Sequence, residues 1–348
     1  MAGHGGLWGM GMELIQLERY TERRLLGMGA SYEVHEAVDS QTGAQVVLKR
    51  PWAQYITHNQ HQHADQLSVR LLEMHRALGA SFPHISHLVG YTDCTRHDQF
   101  FGDTLAQPYH VLVEERAKGV PLLGSIKDKF RGVPIGLAHN LYALYPLVSH
   151  AVHPSPGILQ QLLELAEGCY RKGFLALDLG PQNVYYDPTQ GRITLIDLGA
   201  FLDRNATRGR LQPPNLHDAL AELCKFYVTP HPPPAHVSGY RDPYGMGPMR
   251  GFEQDLDHLI HRFRELTTGA LQDTAVGLLH RVKARAYESI DEFRQEVQPY
   301  LGLVEERNRA LPNFAALVEV WREGLGLLHE QYWRRFLFNP ETDLVHYR

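Results

Sequence analysis

The sequence predicts an α+β fold with two lobes, a small antiparallel β-rich N-terminal lobe with one main helix and a larger helical C-terminal lobe. Three observations predict it: short β-like runs broken by glycine over residues 20–50, one helical pattern over 64–79, and helical leucine spacing after Glu115. Strands followed by helices favour an α+β arrangement with a cleft between the lobes. We expect a tail at 1–18, the N-lobe at 19–114, the C-lobe at 115–302 and a helical extension at 303–348.

The N-lobe begins with an antiparallel meander of three strands. Its runs are RRLLGMGA, SYEVHEAVD and AQVVLKR, and the turn SQTG separates the last two. A helix over about 64–79 follows, because its leucines recur at near-helical spacing and Gly79 is a stop signal. HISHLVGYTD and PYHVLVEE then return to strand character.

The C-lobe is mainly helical. SIKDKF and then ILQQLLELAEGCYRKG have helical patterns, and the leucines of the latter form an apolar stripe. The turn DPTQG between NVYYD and RITLID predicts a small β-hairpin. Residues 203–250 are rich in Pro, Gly, His and Arg and predict an irregular segment around one short helix near 216–228. Further helices are expected near 254–268, 272–283, 289–300 and 312–336.

Composition excludes several classes of protein. No apolar run in the 348 residues approaches the roughly 18 residues of a membrane span, so no membrane partner is expected. The N-terminus lacks the pattern of a secretory signal, which favours a cytoplasmic protein. A formal net charge of −5 gives no basic face for a nucleic acid partner.

Cysteine and histidine usage gives no metal pattern. Cys94, Cys169 and Cys224 are widely spaced and odd in number, which favours buried reduced thiols over a disulfide framework or a zinc site. His58, His61 and His63 cluster in THNQHQHADQ, where a solvated loop is favoured over a metal site because no acidic or cysteine partner stands at ligand spacing.

The meander carries the first candidate site residues. Gly27 and Gly29 could let backbone N–H groups approach phosphates, although a flexible hairpin turn explains two glycines equally well. Lys49 ends VVLKR among apolar neighbours and needs a counter-charge there. Glu73, on the following helix, is the natural partner.

A stronger signal lies in GFLALDLGPQNVYYDPTQGRITLIDLGAF. Asp178 and Asn183 form a D-x4-N pattern, and Asp197 and Gly199 belong to a D-L-G pattern after the predicted hairpin. Two surface turns with acidic residues would not easily produce this order of motifs.

With these motifs the chain resembles the protein-kinase family over roughly Tyr20 to Leu301, about four-fifths of the sequence. The resemblance implies the bilobal protein-kinase-like fold, with ATP and Mg²⁺ (or Mn²⁺) bound between the lobes. Lys49 would hold the α- and β-phosphates and pair with Glu73, and Asp178 would accept the proton of the substrate hydroxyl. Asn183 and Asp197 would supply the oxygen ligands of the metal.

The resemblance also assigns the adenine site. VLVEERAKGVPL resembles the hinge between the lobes, with Val113 as gatekeeper and the backbones of Glu114 and Arg116 bonded to adenine. The side chains expected above and below the ring are those of Val34, Val47 and Tyr185. GFEQDLDHLIHRFRELTTG resembles the buried helix of the large lobe, in which Asp255 would brace the catalytic loop.

Several positions depart from the family pattern. Tyr32 replaces the third glycine of the phosphate loop, and Ala176 and Leu177 replace the His and Arg before the catalytic aspartate. Without that arginine, we predict that phosphorylation of the activation segment does not switch the protein on. Gly180 replaces a lysine that steadies the γ-phosphate, and Asp242-Pro243-Tyr244 stands in place of A-P-E.

The expected function is that of an ATP- and magnesium-dependent serine/threonine protein kinase with a protein substrate. The departures leave two alternatives: a pseudokinase that binds ATP with little turnover, and a small-molecule kinase, a class that often lacks the lysine missing at Gly180. Beyond the resemblance, Trp321, Leu325, Leu328 and Tyr332 form a helical stripe expected to cover the large lobe.

Overall fold

The computed structural model describes most of the chain, which has a mixed α+β fold. The described residues are 12–29, 31–51, 65–102, 107–124, 142–143, 146–149, 155–204, 215–231, 251–319 and 322–323. They belong to two compact units. The smaller unit contains residues up to Phe82 together with Ser86–Ala117, and the larger unit contains Pro83–Ile85 and the described residues from Lys118 onward.

The smaller unit is built on a six-stranded sheet. Its strands are β1 (Glu13–Leu14), β2 (Tyr20–Met28), β3 (Tyr32–Asp39), β4 (Gln45–Pro51), β5 (Leu88–Tyr91) and β6 (Leu112–Glu115). The strand order is β1-β5-β6-β4-β3-β2, and every pair is antiparallel except β1 with β5. The predicted meander is therefore confirmed as β2, β3 and β4.

The turn between β3 and β4 is fixed by Asp39. Its carboxylate accepts hydrogen bonds from the Gln41 amide (3.0 Å) and the Thr42 hydroxyl (2.6 Å), and Gly43 has a φ of 71°. The Arg19 guanidinium also donates two hydrogen bonds of 2.6 Å to this carboxylate, which lowers its pKa well below the usual range. SQTG forms the hairpin turn as predicted.

Two helices accompany this sheet, α1 (Gln66–Leu78) and the short α2 (Asp98–Phe101), and Leu17–Arg19 forms a single 3-10 turn. The predicted helix and its stop are confirmed, since α1 ends at Gly79 with φ 89°. One face of the sheet is an apolar core. Its buried members are Ile15, Leu17, Tyr20, Ala37, Val46, Leu48, Tyr109, Val111 and Val113.

The described part of the larger unit combines helices with short strands. The helices are α3 (Ile158–Arg171), α4 (Leu216–Tyr227), α5 (Phe252–Leu266), α6 (Gly269–Lys283) and α7 (Ile290–Arg309). The strands are β7 (Val120–Pro121), β8 (Val148–Ser149), β9 (Ser155–Pro156), β10 (Phe174–Leu175), β11 (Val184–Asp187), β12 (Arg192–Leu195) and β13 (Leu202–Asp203). β11 pairs with both β12 and β7, so the predicted hairpin gains a third strand.

Gln161 attaches the β11–β12 hairpin to α3. Its side-chain amide donates to the carbonyl oxygen of Gly191 (2.8 Å) and accepts from the Ile193 amide (3.0 Å), although only 2% of the residue is exposed. The leucine stripe predicted for this helix is buried around it, at Leu159, Leu162, Leu163 and Leu165. A buried amide with these partners fixes the position of the hairpin turn against the helix.

The C-terminal helices agree with the sequence pattern, and α7 extends to Arg309, beyond the predicted end near 300. SIKDKF, Asp242-Pro243-Tyr244 and the four members of the C-terminal stripe lie outside the described residues. The lobe boundaries after residues 114 and 302 stay predictions. Within the described part of the chain, no helix is both long and apolar enough to cross a membrane.

Candidate functional site

The β11–β12 hairpin brings two of the predicted metal ligands to one end of a small sheet. Val184 is paired with Leu195, and the Ile196 amide donates to the Asn183 carbonyl oxygen at 3.0 Å. Asn183 therefore enters the hairpin beside the point where Asp197 leaves it. This geometry explains why a D-x4-N pattern, a hairpin and a D-L-G pattern follow one another in the sequence.

Asp178 lies in the loop that leads into this hairpin. Its carbonyl oxygen accepts a hydrogen bond of 3.2 Å from the Asn183 side-chain nitrogen. Its φ of 58° lies in the left-handed region, which costs an aspartate on the order of 1–3 kcal/mol unless the surroundings fix it. Asp178, His84 and Arg285 are the non-glycine residues with positive φ in the described segments.

Helix α4 supplies the groups that hold this loop. The Tyr227 hydroxyl donates to the Leu179 carbonyl oxygen at 2.6 Å, and both residues are buried. The Glu222 carboxylate interacts with the backbone amides of Asp178 and Leu179, which favours its charged form. Two side chains of one helix thus interact with the backbone around Asp178.

The acidic groups of the site have shifted pKa values. Burial raises the pKa of Asp178, and the nearby charge of Asp197 raises it further, while a hydrogen bond with Asn183 opposes the shift. Burial also raises the pKa of Glu222 to about 7. The site thus has two carboxyl groups held more weakly acidic than usual beside the exposed Asp197.

Asp255, the residue expected to brace the catalytic loop, lies in α5 and forms a buried ion pair with Lys225 of α4 at 3.1 Å. Two further side chains of α4, those of Glu222 and Tyr227, interact with the loop itself. The buried helix is α4, which has nine buried residues, whereas α5 has five. The signal that the sequence offered was a single acid, Glu222, inside the apolar run LAELC.

Gly199 shapes the D-L-G turn. Its amide donates to Asp197 Oδ1 at 2.7 Å, and a Cβ built on it would lie 2.9 Å from that oxygen. A side chain at this position would therefore displace the carboxylate. At Gly180 a Cβ would meet only the end of the Gln182 side chain, at 2.5 Å.

Asp178, Asn183 and Asp197 form a donor set that fits a hard divalent cation. Carboxylate and amide oxygens are the ligands that Mg²⁺ prefers, and Mn²⁺ accepts them too. The raised pKa of Asp178 reflects in part the repulsion between two carboxylates that a cation would relieve.

In the smaller unit, the predicted partner of Lys49 is corrected. The Lys49 ammonium forms an ion pair with Glu114 at 2.8 Å, and their side chains are 11% and 5% exposed. Glu73 lies on the exposed side of α1. Its neighbour His75 is buried, and its pKa is lowered to about 3 by burial and then by the charges of Lys49 and His87.

The strand register gives the position of Val113, the predicted gatekeeper. Leu48 is paired with Val113 and Lys49 with Leu112, so Val113 lies on the apolar core face, opposite Lys49. Leu112 and Glu114 share the face of Lys49. The role of Val113 as gatekeeper stays a prediction, because the face of a strand side chain depends on register, which the sequence alone does not determine.

The backbones expected to bind adenine already face neighbouring strands. Glu114 is paired with Val47 of β4 on one side and with Leu88 of β5 on the other. The Arg116 amide donates to the Gln45 carbonyl oxygen at 3.4 Å. In this arrangement both backbones contact the protein's own sheet.

The other predicted cofactor residues have the following positions. Val34 and Val47 lie on the Lys49 face of the sheet, because Val34 is paired with Lys49 and Glu36 with Val47. This face is more charged than predicted, since Glu36 forms ion pairs with Arg116 (2.5 Å) and Arg24. Tyr185 lies on β11 of the larger unit, paired with Thr194 and Pro121.

The predicted phosphate loop is the hairpin turn between β2 and β3. Gly29 donates its amide to the Tyr32 carbonyl oxygen at 2.8 Å, and a Cβ on Gly27 would meet no atom within 4 Å. Packing within the described protein therefore does not require these glycines. The Tyr32 hydroxyl shares a hydrogen bond of 2.9 Å with Ser68.

Cys169 and Cys224 are buried reduced thiols as predicted, but Cys94 is exposed, so the prediction of a core thiol is wrong there.

No protein-family model matches the chain, and no curated protein sequence is significantly similar to it.

Proposed function

We propose that the chain is an ATP- and magnesium-dependent phosphotransferase with the two-lobed protein-kinase fold, whose acceptor is a serine or threonine hydroxyl of a protein. The observation that supports this most is the convergence of Asp178, Asn183 and Asp197 at the end of the β11–β12 hairpin. An ordered loop with this composition has a physical use in positioning a metal and a hydroxyl.

In this proposal Asp178 orients the acceptor hydroxyl and accepts its proton. A base of raised pKa accepts a proton more readily than an ordinary aspartate, and burial produces that rise here. Glu222 and Tyr227 act on the backbone, because they hold the left-handed conformation that directs the Asp178 side chain.

Asn183 and Asp197 would hold Mg²⁺, or Mn²⁺ in its place. Held there, the metal would supply positive charge against the negative charge that develops during transfer. Gly199 keeps Asp197 in place through its amide.

Lys49 is proposed to contact the phosphates of ATP. Because Lys49 is paired with Glu114, this contact requires the existing ion pair to break. The ammonium must exchange the Glu114 carboxylate for phosphate, a second anion. Glu114 therefore competes with the nucleotide for Lys49.

The same ion pair supports a second candidate function, a pseudokinase that binds nucleotide with little turnover. Lys49 pairs with Glu114 and Glu73 is exposed, so the pair that kinases use for phosphate is not formed in this structure.

Transfer of radiolabelled γ-phosphate tests the proposal. The chain and its Asp178→Asn variant are incubated with labelled ATP and Mg²⁺, with generic protein substrates and with small hydroxyl compounds. Asp273→Asn is the matched control, because Asp273 is exposed on α6 and undergoes the same change of charge.

We expect label on protein that is lost in Asp178→Asn and retained in Asp273→Asn. Label only on a small compound would overturn the protein acceptor and favour a small-molecule kinase. Thermal stabilisation by ATP without transfer would establish the pseudokinase, and the absence of both would overturn nucleotide chemistry altogether.

A further inference from the structure

Three side chains of the smaller unit that can bind metals lie close together. None of them is one of the candidate active-site residues. Asp65, Cys94 and His110 each offer one ligand atom, and these atoms all lie within 4.8 Å of one another. No pattern in the sequence indicated the cluster, because its members come from three separate places: the residue before α1, the loop after β5 and the residues before β6.

The Asp65 carboxylate is already oriented toward the other two groups. Oδ1 accepts the His110 backbone amide at 2.9 Å, and Oδ2 shares a hydrogen bond with His110 Nδ1. The Cys94 thiol lies within 4.8 Å of the Asp65 carboxylate and of the His110 ring. Asp65 is 7% exposed, so this orientation is fixed by packing as well as by hydrogen bonds.

The chemistry of the three groups selects a class of metal. A thiolate, an imidazole and a carboxylate together suit zinc, whereas magnesium and calcium require oxygen ligands throughout. Three protein ligands with one exposed member leave a fourth tetrahedral position for water or another ligand.

We propose that Asp65, Cys94 and His110 form a zinc-binding site. On binding, the thiol of Cys94 releases its proton to solvent, and a ring nitrogen of His110 and an Asp65 oxygen exchange their mutual hydrogen bond for the metal. Oδ1 of Asp65 keeps its bond to the His110 amide, which serves as the outer support that metal-binding carboxylates usually have.

The site would fasten α1 to the sheet. Asp65 directly precedes α1, and Cys94 and His110 flank the segment that joins β5 to β6. Zinc would therefore fix the start of the helix that carries Glu73 and His75. This role does not depend on phosphotransfer, so failure of either proposal leaves the other in place.

Cobalt and zinc titrations of the full-length chain, stripped of metal with a chelator, test the proposal. We expect one equivalent of Co²⁺ to bind with a thiolate-to-cobalt charge-transfer band, and Zn²⁺ to displace it. Cys94→Ser should abolish the band, and His110→Ala should weaken Co²⁺ binding by at least about 100-fold, because loss of an outer-shell group alone costs about 10–100-fold.

The control variant replaces His58, His61 and His63 with alanine, and it should bind Co²⁺ as the unaltered chain does. Cys94 is exposed, so Cys94→Ser keeps the fold and its metal-free thermal unfolding should match that of the unaltered chain. Absence of a charge-transfer band, a band that survives Cys94→Ser, or a band lost only in the triple histidine variant would each overturn the proposal.

Discussion

Glu222 combines two properties at the scale of a single residue. Its carboxylate interacts with the backbone amides of Asp178 and Leu179. Burial raises the pKa of this carboxyl group to about 7 from an ordinary value of 4.5. Hydrogen bonds favour its charged form and burial opposes it, so its charge changes near neutral pH. The loop that carries Asp178 is therefore coupled to a group that titrates close to physiological pH.

The first prediction concerns stability against pH. A folded-state pKa above the unfolded value makes Glu222 contribute stability that is complete below about pH 4.5 and lost as pH rises through about 7. Between pH 5 and pH 8 the stability lost in this way amounts to about 2–3 kcal/mol. In urea unfolding at pH 5 and pH 8, Glu222→Gln should lack this loss. An equal pH dependence in both proteins would contradict the assignment.

The second prediction concerns the Lys49–Glu114 pair. Glu114→Gln removes the carboxylate from a buried ammonium, and breaking a buried pair costs about 3–5 kcal/mol. It should also raise the affinity for ATP, because Glu114 no longer competes with phosphate. Urea unfolding and titration with a fluorescent ATP analogue measure the two effects.

Glu73→Gln is the control for that variant, because Glu73 is exposed and its loss should change the free energy of unfolding by less than about 0.5 kcal/mol. A larger loss of stability in Glu73→Gln than in Glu114→Gln would instead support the pairing of Lys49 with Glu73 that was expected from the sequence.

At the residue scale, the order of the D-x4-N and D-L-G motifs in the sequence identified Asp178, Asn183 and Asp197. The structure brings these three residues together. Glu222 and Glu114 were not predicted in their roles. The face on which a strand side chain lies depends on register, and a helix gives no indication of which distant loop it will contact. Both require tertiary structure.

At the scale of elements, the three-stranded sheet of β7, β11 and β12 depends on one glycine. Gly119 has a φ of 87°, and a Cβ there would lie 2.0 Å from the Tyr186 carbonyl oxygen. β7 can therefore approach β11 only if residue 119 has no side chain.

The third prediction compares two glycines. Gly119→Ala should destabilise the protein by more than about 2 kcal/mol, because it combines a backbone clash with a left-handed φ. Gly277→Ala should stabilise it by about 0.5–1 kcal/mol, since Gly277 is exposed in α6 with nothing within 4 Å. Thermal unfolding of both variants provides the test, and a similar effect of the two substitutions would refute the steric argument.

Sequence periodicity predicted the longer elements, namely β2 to β6, the β11–β12 hairpin and the helices α1 and α3 to α7. It did not predict the two-residue strands β1, β7, β8, β9, β10 and β13. Such strands have too few residues to show alternation, and they exist because another part of the chain lies beside them. The contact of Gln161 with the hairpin was likewise not predicted, because this residue stands within a leucine stripe in the sequence.

At the scale of the whole molecule, α7 joins distant parts of the larger unit. Asn308, with no exposed surface, donates to the Ala143 carbonyl oxygen at 2.7 Å. The Tyr300 hydroxyl donates to Thr229 at 3.0 Å, directly after α4. The helix that supports Asp178 is therefore itself supported from the C-terminal helix.

The fourth prediction follows from this position. Asn308→Ala should lower the free energy of unfolding by about 1–3 kcal/mol, because it removes a fully buried side chain and its hydrogen bond to the half-buried Ala143 carbonyl oxygen. Gln295→Ala, at an exposed site within α7, should have little effect. Urea unfolding followed by circular dichroism measures both, and equal stabilities would contradict the proposed link.

The mixed α+β class was predictable from the change of pattern along the chain, since strands dominate before Glu115 and helices after it. The predicted end of the C-lobe at residue 302 is a boundary that the sequence pattern could not establish. The helical repeat continues through it, and the burial of Val304, Glu305 and Asn308 shows that the following turns belong to the same core.

The support of the Asp178 loop by later helices has a consequence for synthesis on the ribosome. Asp178 is translated about 130 residues before Asn308, which at about 5–20 residues per second is a delay of roughly 6–26 s. During that interval the loop has been made, but first Glu222 and Tyr227, and then the helix that contains Tyr300, have still to emerge. The nascent chain therefore carries its D-x4-N segment for several seconds before the contacts that hold Asp178 in its left-handed conformation can form.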